Sequence, residues 1–265
     1  MNSTVVKTII AGAIIMGIGL GILILAGALN GWNFTVNADW EKQKYEYSET
    51  VTDVDIDFSA GSLQLEFFDG EQIEVEYYTC DKFTTEFNVV DGTLHVSTSS
   101  VRWYHSFLWF HKIPETKMYI PRSWQLNFDV VINAGAVTFG EGGNYGDVKV
   151  ELNAGSITML NVNCQVCSLE VNAGAMDLTG LTCNKLTCEV NAGAVNVQQL
   201  KCNSIGIEVS AGSANVGIAG QKSEYTIKVR KSAGSCNVTN QTGTDASKSI
   251  DIGVSAGSAN VTFSN

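Results

Sequence analysis

A four-residue motif, Asn/Ser-Ala-Gly-Ala/Ser, recurs along this chain at 59–62, 133–136, 153–156, 172–175, 191–194, 210–213, 232–235 and 255–258. From Gly135 onward its glycines are 20, 19, 19, 19, 22 and 23 residues apart. A period near 20 residues, with short β-type segments between, is the signature of a solenoid. Each repeat there buries its apolar face only by stacking on the next.

The residues around each tetrad alternate with period two. After it, one position reads Val137, Ile157, Met176, Val195, Ala214, Cys236 and Ala259. Two residues on it reads Phe139, Met159, Leu178, Val197, Val216, Val238 and Val261, with Thr, Asp or Asn between. Before the tetrad, Val150, Leu169, Cys188 and Ile207, then Leu152, Val171, Val190 and Val209, face inward. Glu151, Glu170, Glu189 and Glu208 face outward. This is the pattern of half-buried strands. Each repeat therefore holds two strands, and the tetrad is the bend between them, where Gly and Asn tolerate left-handed backbone. Seven coils from residue 133 onward, about 4.8 Å apart, predict a stack roughly 34 Å long.

Residues 46–132 are less regular but related. Val54 to Leu65 repeats the strand–corner–strand unit, and Asp69-Gly70 and Asp91-Gly92 read as turns. This portion is expected to cap the solenoid at its N-terminal end. The expected fold is all-β: a parallel β-solenoid (single-stranded β-helix) with one N-terminal transmembrane helix.

That helix is read from residues 8–29, which carry no charge. About 20 apolar residues span a bilayer as a helix. The competing reading is a cleaved signal peptide with Ala26-Gly27-Ala28 at its small-residue site. The run is longer than a usual signal core, which favours the anchor. Residues 1–7 form a short tail and 30–45 a polar linker. Lys7 beside the span favours a cytoplasmic N-terminus and an exported C-terminal domain. Gly17 and Gly21 form a GxxxG, weak evidence for helix pairing because glycine is common in membrane helices.

Acidic residues outnumber basic ones 27 to 16, for a net charge of −11, which argues against nucleic acid as a partner. Phosphate-loop, G-x-S-x-G and HExxH motifs are absent, and no cofactor motif is present. The three histidines, His95, His105 and His111, have no evident nucleophile beside them. The glutamate column would place like charges about 4.8 Å apart, a repulsion of about 0.9 kcal/mol per neighbour in water. Calcium would relieve it, but six or more oxygens are needed and no GGxGxD repeat is present. A solvated face, softened by lysines such as Lys149, is the simpler reading, and the column has no arginine nearby in the sequence.

Cys164, Cys183 and Cys202 share one repeat position and should form a column, while Cys167, Cys188 and Cys236 fall at inward positions. Cys164-x-x-Cys167 has no second Cys pair or His pair at metal-site spacing. Seven cysteines cannot all pair, so buried core thiols are expected. The segment 102–112 concentrates Trp103, Tyr104, Phe107, Leu108, Trp109 and Phe110 between Arg102 and Lys112. Aromatic residues with basic flanks suit a membrane interface or a hydrophobic partner. The alternative is a loop folded over the open end of the solenoid.

The chain resembles the putative-adhesin domain family of β-strand repeats, domains of unknown function in bacterial membrane-anchored envelope proteins. Three features carry the resemblance: VDIDFSAGSLQLEFFDGEQIEVEY, then VVDGTLHVSTSS with KMYIPRSWQLNFDVVINAGAV, and the AG-centred repeats that follow. It covers about residues 46–265, implies a β-helix, often tethered to a membrane and sometimes linked to envelope-stress responses, and carries over no catalytic residue. The function expected is that of a non-catalytic, single-pass envelope protein. The bilayer is its partner through residues 8–29, and a surface protein, glycan or lipid is its ligand. The second reading is a carbohydrate-active β-helix enzyme of the polysaccharide-lyase type, which requires an acid–base cluster in a groove.

Overall fold

The computed structural model describes residues 40–80, 83–100, 114–143 and 145–264. The span at 8–29 lies outside them. Among the described residues no helix is long and apolar enough to cross a membrane.

The strands run in chain order as β1 (Glu41–Tyr47), β2 (Asp53–Phe58), β3 (Gly61–Phe68), β4 (Ile73–Thr79), β5 (Phe83–Val90), β6 (Thr93–Ser100), β7 (Thr116–Pro121), β8 (Leu126–Ile132) and β9 (Gly135–Phe139). There follow β10 (Tyr145–Leu152), β11 (Gly155–Leu160), β12 (Val166–Thr179), β13 (Thr182–Ala219), β14 (Thr226–Lys231), β15 (Ser235–Cys236), β16 (Ser249–Val254) and β17 (Ser258–Ser264). The long β12 and β13 each continue through a tetrad, and β13 holds two repeats.

Parallel ladders join equivalent positions of successive repeats. Gly155 pairs with Gly135 and with Gly174, and β12 pairs with β13 from Val166–Lys185 to Thr179–Gln198. The inward positions expected from the alternation are buried: Val150, Leu169 and Cys188 are about 1% exposed, and Val171, Val190 and Met159 are sealed. Each such side chain contributes about 1.5–3 kcal/mol of burial, so the stack has one continuous apolar interior. A repeat also has a third, shorter side beyond the two expected strands. Val162, Leu181 and Leu200 close it at 0% exposure, and backbone bonds such as Thr182 N to Val162 O (2.9 Å) continue the ladder there.

The corner glycines are needed for proximity as well as conformation. A Cβ built on Gly135 would stand 1.8 Å from the carbonyl oxygen of Gly61, and one on Gly155 would stand 1.8 Å from that of Gly135. The column continues through Gly174, Gly193 and Gly212, then Gly257, then Gly234.

The layers at both ends of the stack depart from chain order. β2 lies between β6 and β8, and β3 between β7 and β9, so β6 and β7 form the terminal layer outside the first repeat. At the other end, β16 and β17 pair with β13 on one side and with β14 and β15 on the other. The last repeat in the sequence is thus inserted between the two that precede it. Stacking of neighbours in sequence holds only for the layers between.

The N-terminal cap uses antiparallel pairing. β5 and β6 form a hairpin whose turn, Asp91-Gly92, has φ of 50° and 80°. β4 pairs antiparallel with β7 and β1 with β4. Asp69-Gly70 turns the chain between β3 and β4, yet these two do not pair, because β7 lies between them. β1 takes up Glu41–Tyr45, which the sequence places in the linker.

Candidate functional site

The outward faces carry ladders of side chains in register. Glu151, Glu170 and Glu189 occupy paired positions of adjacent strands, as expected. The absence of arginine near this column does not hold in three dimensions. Arg230 bonds Glu208 at 2.7 Å and Asp251 at 2.5 Å, with all three side chains about half exposed or more. Lys149 is tied to Asp129 at 2.8 Å, and that bond raises its pKa. Such exposed pairs are worth at most about 1 kcal/mol each.

A second column consists of the first residue of four successive tetrads, Asn133, Asn153, Asn172 and Asn191. Asn153 donates to Asn133 at 3.1 Å, Asn172 to Asn153 at 2.9 Å and Asn191 to Asn172 at 2.8 Å. Asn133 in turn donates to Asp57 at 3.4 Å, extending the ladder onto the first repeat. Each amide donates one of its two N–H bonds down the stack, one per layer.

Among the concavities of the described surface are two whose linings hold no carboxylate. One, of about 150 Å³, is walled by Asn196, Gln198, Asn215 and Asn260. The other, of about 360 Å³, lies between Arg122, Trp124, Gln125, Tyr145, Asn163 and Cys164. The Arg122 guanidinium beside it is held by Asp69 at 3.3 Å and by the carbonyl oxygens of Phe67 (3.1 Å) and Gly142 (3.3 Å). Burial raises the pKa of the Tyr145 hydroxyl, which donates to Gly140 O at 3.2 Å.

The expected cysteine column is present. Cys164 is half-buried, Cys183 and Cys202 are 6% and 5% exposed, and all seven cysteines are free. The neighbouring thiols of Cys167 and Cys183 lower the pKa of Cys164. The Cys164 and Cys202 side chains beside it, together with burial, raise the pKa of Cys183. Cys167 and Cys188 are sealed in the core, while Cys236 is only partly covered. Among the described residues no group of three His, Cys, Asp or Glu side chains is placed to hold a metal ion.

The aromatic candidates Trp103, Tyr104, Phe107, Leu108, Trp109 and Phe110 lie outside the described residues, as do His105 and His111. Their segment joins β6 to β7, where other layers have a tetrad corner. His95 Nδ1 stands 3.0 Å from Asp55, an exposed pair on adjacent layers. The Trp124–Cys164 pocket is not signalled in the sequence, because its walls come from three separate layers.

These features define a class: an all-β repeat domain with parallel layers, glycine corners and outward polar ladders. The chain matches the family Toastrack DUF4097 over residues 51–265 and belongs to it. This agrees with the resemblance drawn from its motifs. Similar solved structures include one named a putative adhesin from Bacteroides fragilis NCTC 9343 (13% identity, 84% of this chain and 97% of that one, TM-score 0.42). Another is named a putative cell adhesion protein from Clostridium sporogenes ATCC 15579 (12% identity, 84% and 100%, TM-score 0.31). A third is named a putative lipid binding protein from Parabacteroides distasonis ATCC 8503 (14% identity, 85% and 98%, TM-score 0.31). The sequence has no match among curated proteins.

Proposed function

We propose that this chain is a membrane-anchored, non-catalytic binding module whose β-solenoid projects from the bilayer with its cap end nearest the lipid. One observation carries the reading. β1 leads out of residues 1–39 and pairs with β4, which pairs with β7 of the terminal layer. The segment 102–112 is joined to that same layer, between β6 and β7. The apolar stretch 8–29 and the aromatic stretch therefore attach at one end of the stack. Trp103, Phe107, Trp109 and Phe110 beside an anchored bilayer would enter its interface. The ordered Asn and Glu ladders remain for a protein, glycan or lipid-headgroup ligand.

The test is flotation of fragment 31–265 with anionic liposomes. Binding by the wild type and its loss in W103S/F107S/W109S/F110S supports the interfacial role. No wild-type binding, or unchanged binding by the variant, overturns it. Protease digestion of the domain in intact cells, with a cytoplasmic control protein surviving, tests export.

A further inference from the structure

The 360 Å³ pocket has a cysteine, Cys164, in its lining. Cys164 is half-buried at its wall, and its backbone N–H donates to Thr182 O at 3.0 Å, beside the parallel Asn163–Thr182 bridge. Cys183 thus occupies the equivalent position one layer on. In-register parallel strands separate such Cα atoms by about 4.8 Å, within the range that a disulfide spans.

We propose that Cys164 is a redox modification site: a hydroperoxide entering the pocket oxidises it to the sulfenic acid, and Cys183 closes it to a disulfide. The Cys164 thiolate attacks the outer peroxide oxygen and the O–O bond breaks. The leaving alkoxide takes a proton to become an alcohol, or water if the oxidant is hydrogen peroxide. The Cys183 sulfur then attacks the sulfenic sulfur, the S–O bond breaks, and the hydroxide leaves as water with the Cys183 proton. In sum, two thiols and one hydroperoxide give one disulfide, one alcohol and one water.

Three features favour this chemistry at Cys164 over the other six thiols. Of the partly exposed thiols, Cys80 faces Phe83 and Cys236 faces Ala259, while Cys164 has a cysteine in register beside it, and the neighbouring Cys167 and Cys183 lower its pKa. Burial and, less strongly, the Asp147 charge oppose ionisation, both smaller effects than that of the neighbouring thiols, while the neutral Tyr145 and the engaged Arg122 guanidinium complete the surroundings. Finally, the pocket provides access. Cys167 pairs with Val148 and Leu186 on the adjoining layers, whereas Cys183 holds the position in register with Cys164, so Cys183 is the resolving partner.

The experiment uses the reduced full-length chain in detergent micelles. Brief alkylation with iodoacetamide at pH 6, read by peptide mass spectrometry, should modify Cys164 at least about tenfold faster than any other cysteine. One equivalent of hydrogen peroxide should then give a Cys164–Cys183 disulfide. In C183S, dimedone should trap a sulfenic acid on Cys164. Faster alkylation of Cys80 or Cys236, or a disulfide from Cys164 to Cys167, overturns the assignment. Both wild-type readings stand whether or not C183S folds.

Discussion

Arg230 reaches Glu208 at 2.7 Å across a strand that lies between them, passing over Gly253. The contact exists because the last repeat of the sequence is inserted between the two that carry these residues. Gly253 leaves room for it, since a Cβ there would stand 1.7 Å from a Glu208 carboxylate oxygen.

Gly253→Ala and Gly155→Ala should therefore differ sharply. At Gly253 the obstructed atom is the end of a flexible, exposed side chain, so Glu208 swings aside and the loss is at most about 1 kcal/mol. At Gly155 the obstruction is the Gly135 backbone oxygen at 1.8 Å, and φ is +131°. Displacing backbone and adopting that φ should cost about 3 kcal/mol or more. Urea denaturation of the two variants measures the contrast, and equal losses would contradict the glycine column as a close-packed seam.

Deleting residues 249–265 should release more than the residues removed. Among the described residues β14 and β15 have their ladders only with β16 and β17, apart from the Ile227–Gln241 bridge. Hydrogen exchange of the truncated chain should show residues 226–231 exchanging freely while 166–198 remain protected. Retained protection at 226–231 would mean that β14 can stack directly on β13.

Asn172 both donates to Asn153 and accepts from Asn191, at 2.9 and 2.8 Å. Asn172→Ala breaks both bonds in a half-buried column and should lower stability by about 1–3 kcal/mol. Asn196→Ala, which removes a single exposed bond to Asp177 (3.3 Å), should lower it by well under half as much. Thermal melts of the two variants make the comparison.

Hydrogen bonds from Thr52 (2.6 Å) and Asn127 (2.9 Å) hold the Asp53 carboxyl below the usual carboxylate range. Its folded pKa is lower than its unfolded pKa, so its contribution is present above the unfolded value and disappears as pH falls through the folded one. Stability measured from pH 6 to pH 2 should decline in the wild type below about pH 4. The decline should be shallower in Asp53→Asn, and identical slopes would exclude the role.

Much of the middle of the molecule is legible in one dimension. Val150, Leu169 and Cys188 share a burial because they share a position in a repeat, and the Cys164–Cys183–Cys202 column follows from spacing alone. Positions where spacing does not register a contact were hidden. The third side at Val162, Leu181 and Leu200 is too short to alternate, and the pocket beside Trp124 gathers residues from three layers.

The period and alternation of the chain determined by themselves that it is all-β, that its layers are parallel, and which side chains face inward, because strand geometry is a local property repeated in every layer. Only the tertiary structure decided the order of the layers at the two ends. One layer's edge offers the same backbone hydrogen bonds as another's. A repeat can therefore stack on whichever edge its connection reaches, and the choice made here brings Arg230 to Glu208 and the cap strands to the end that leads toward residues 8–29.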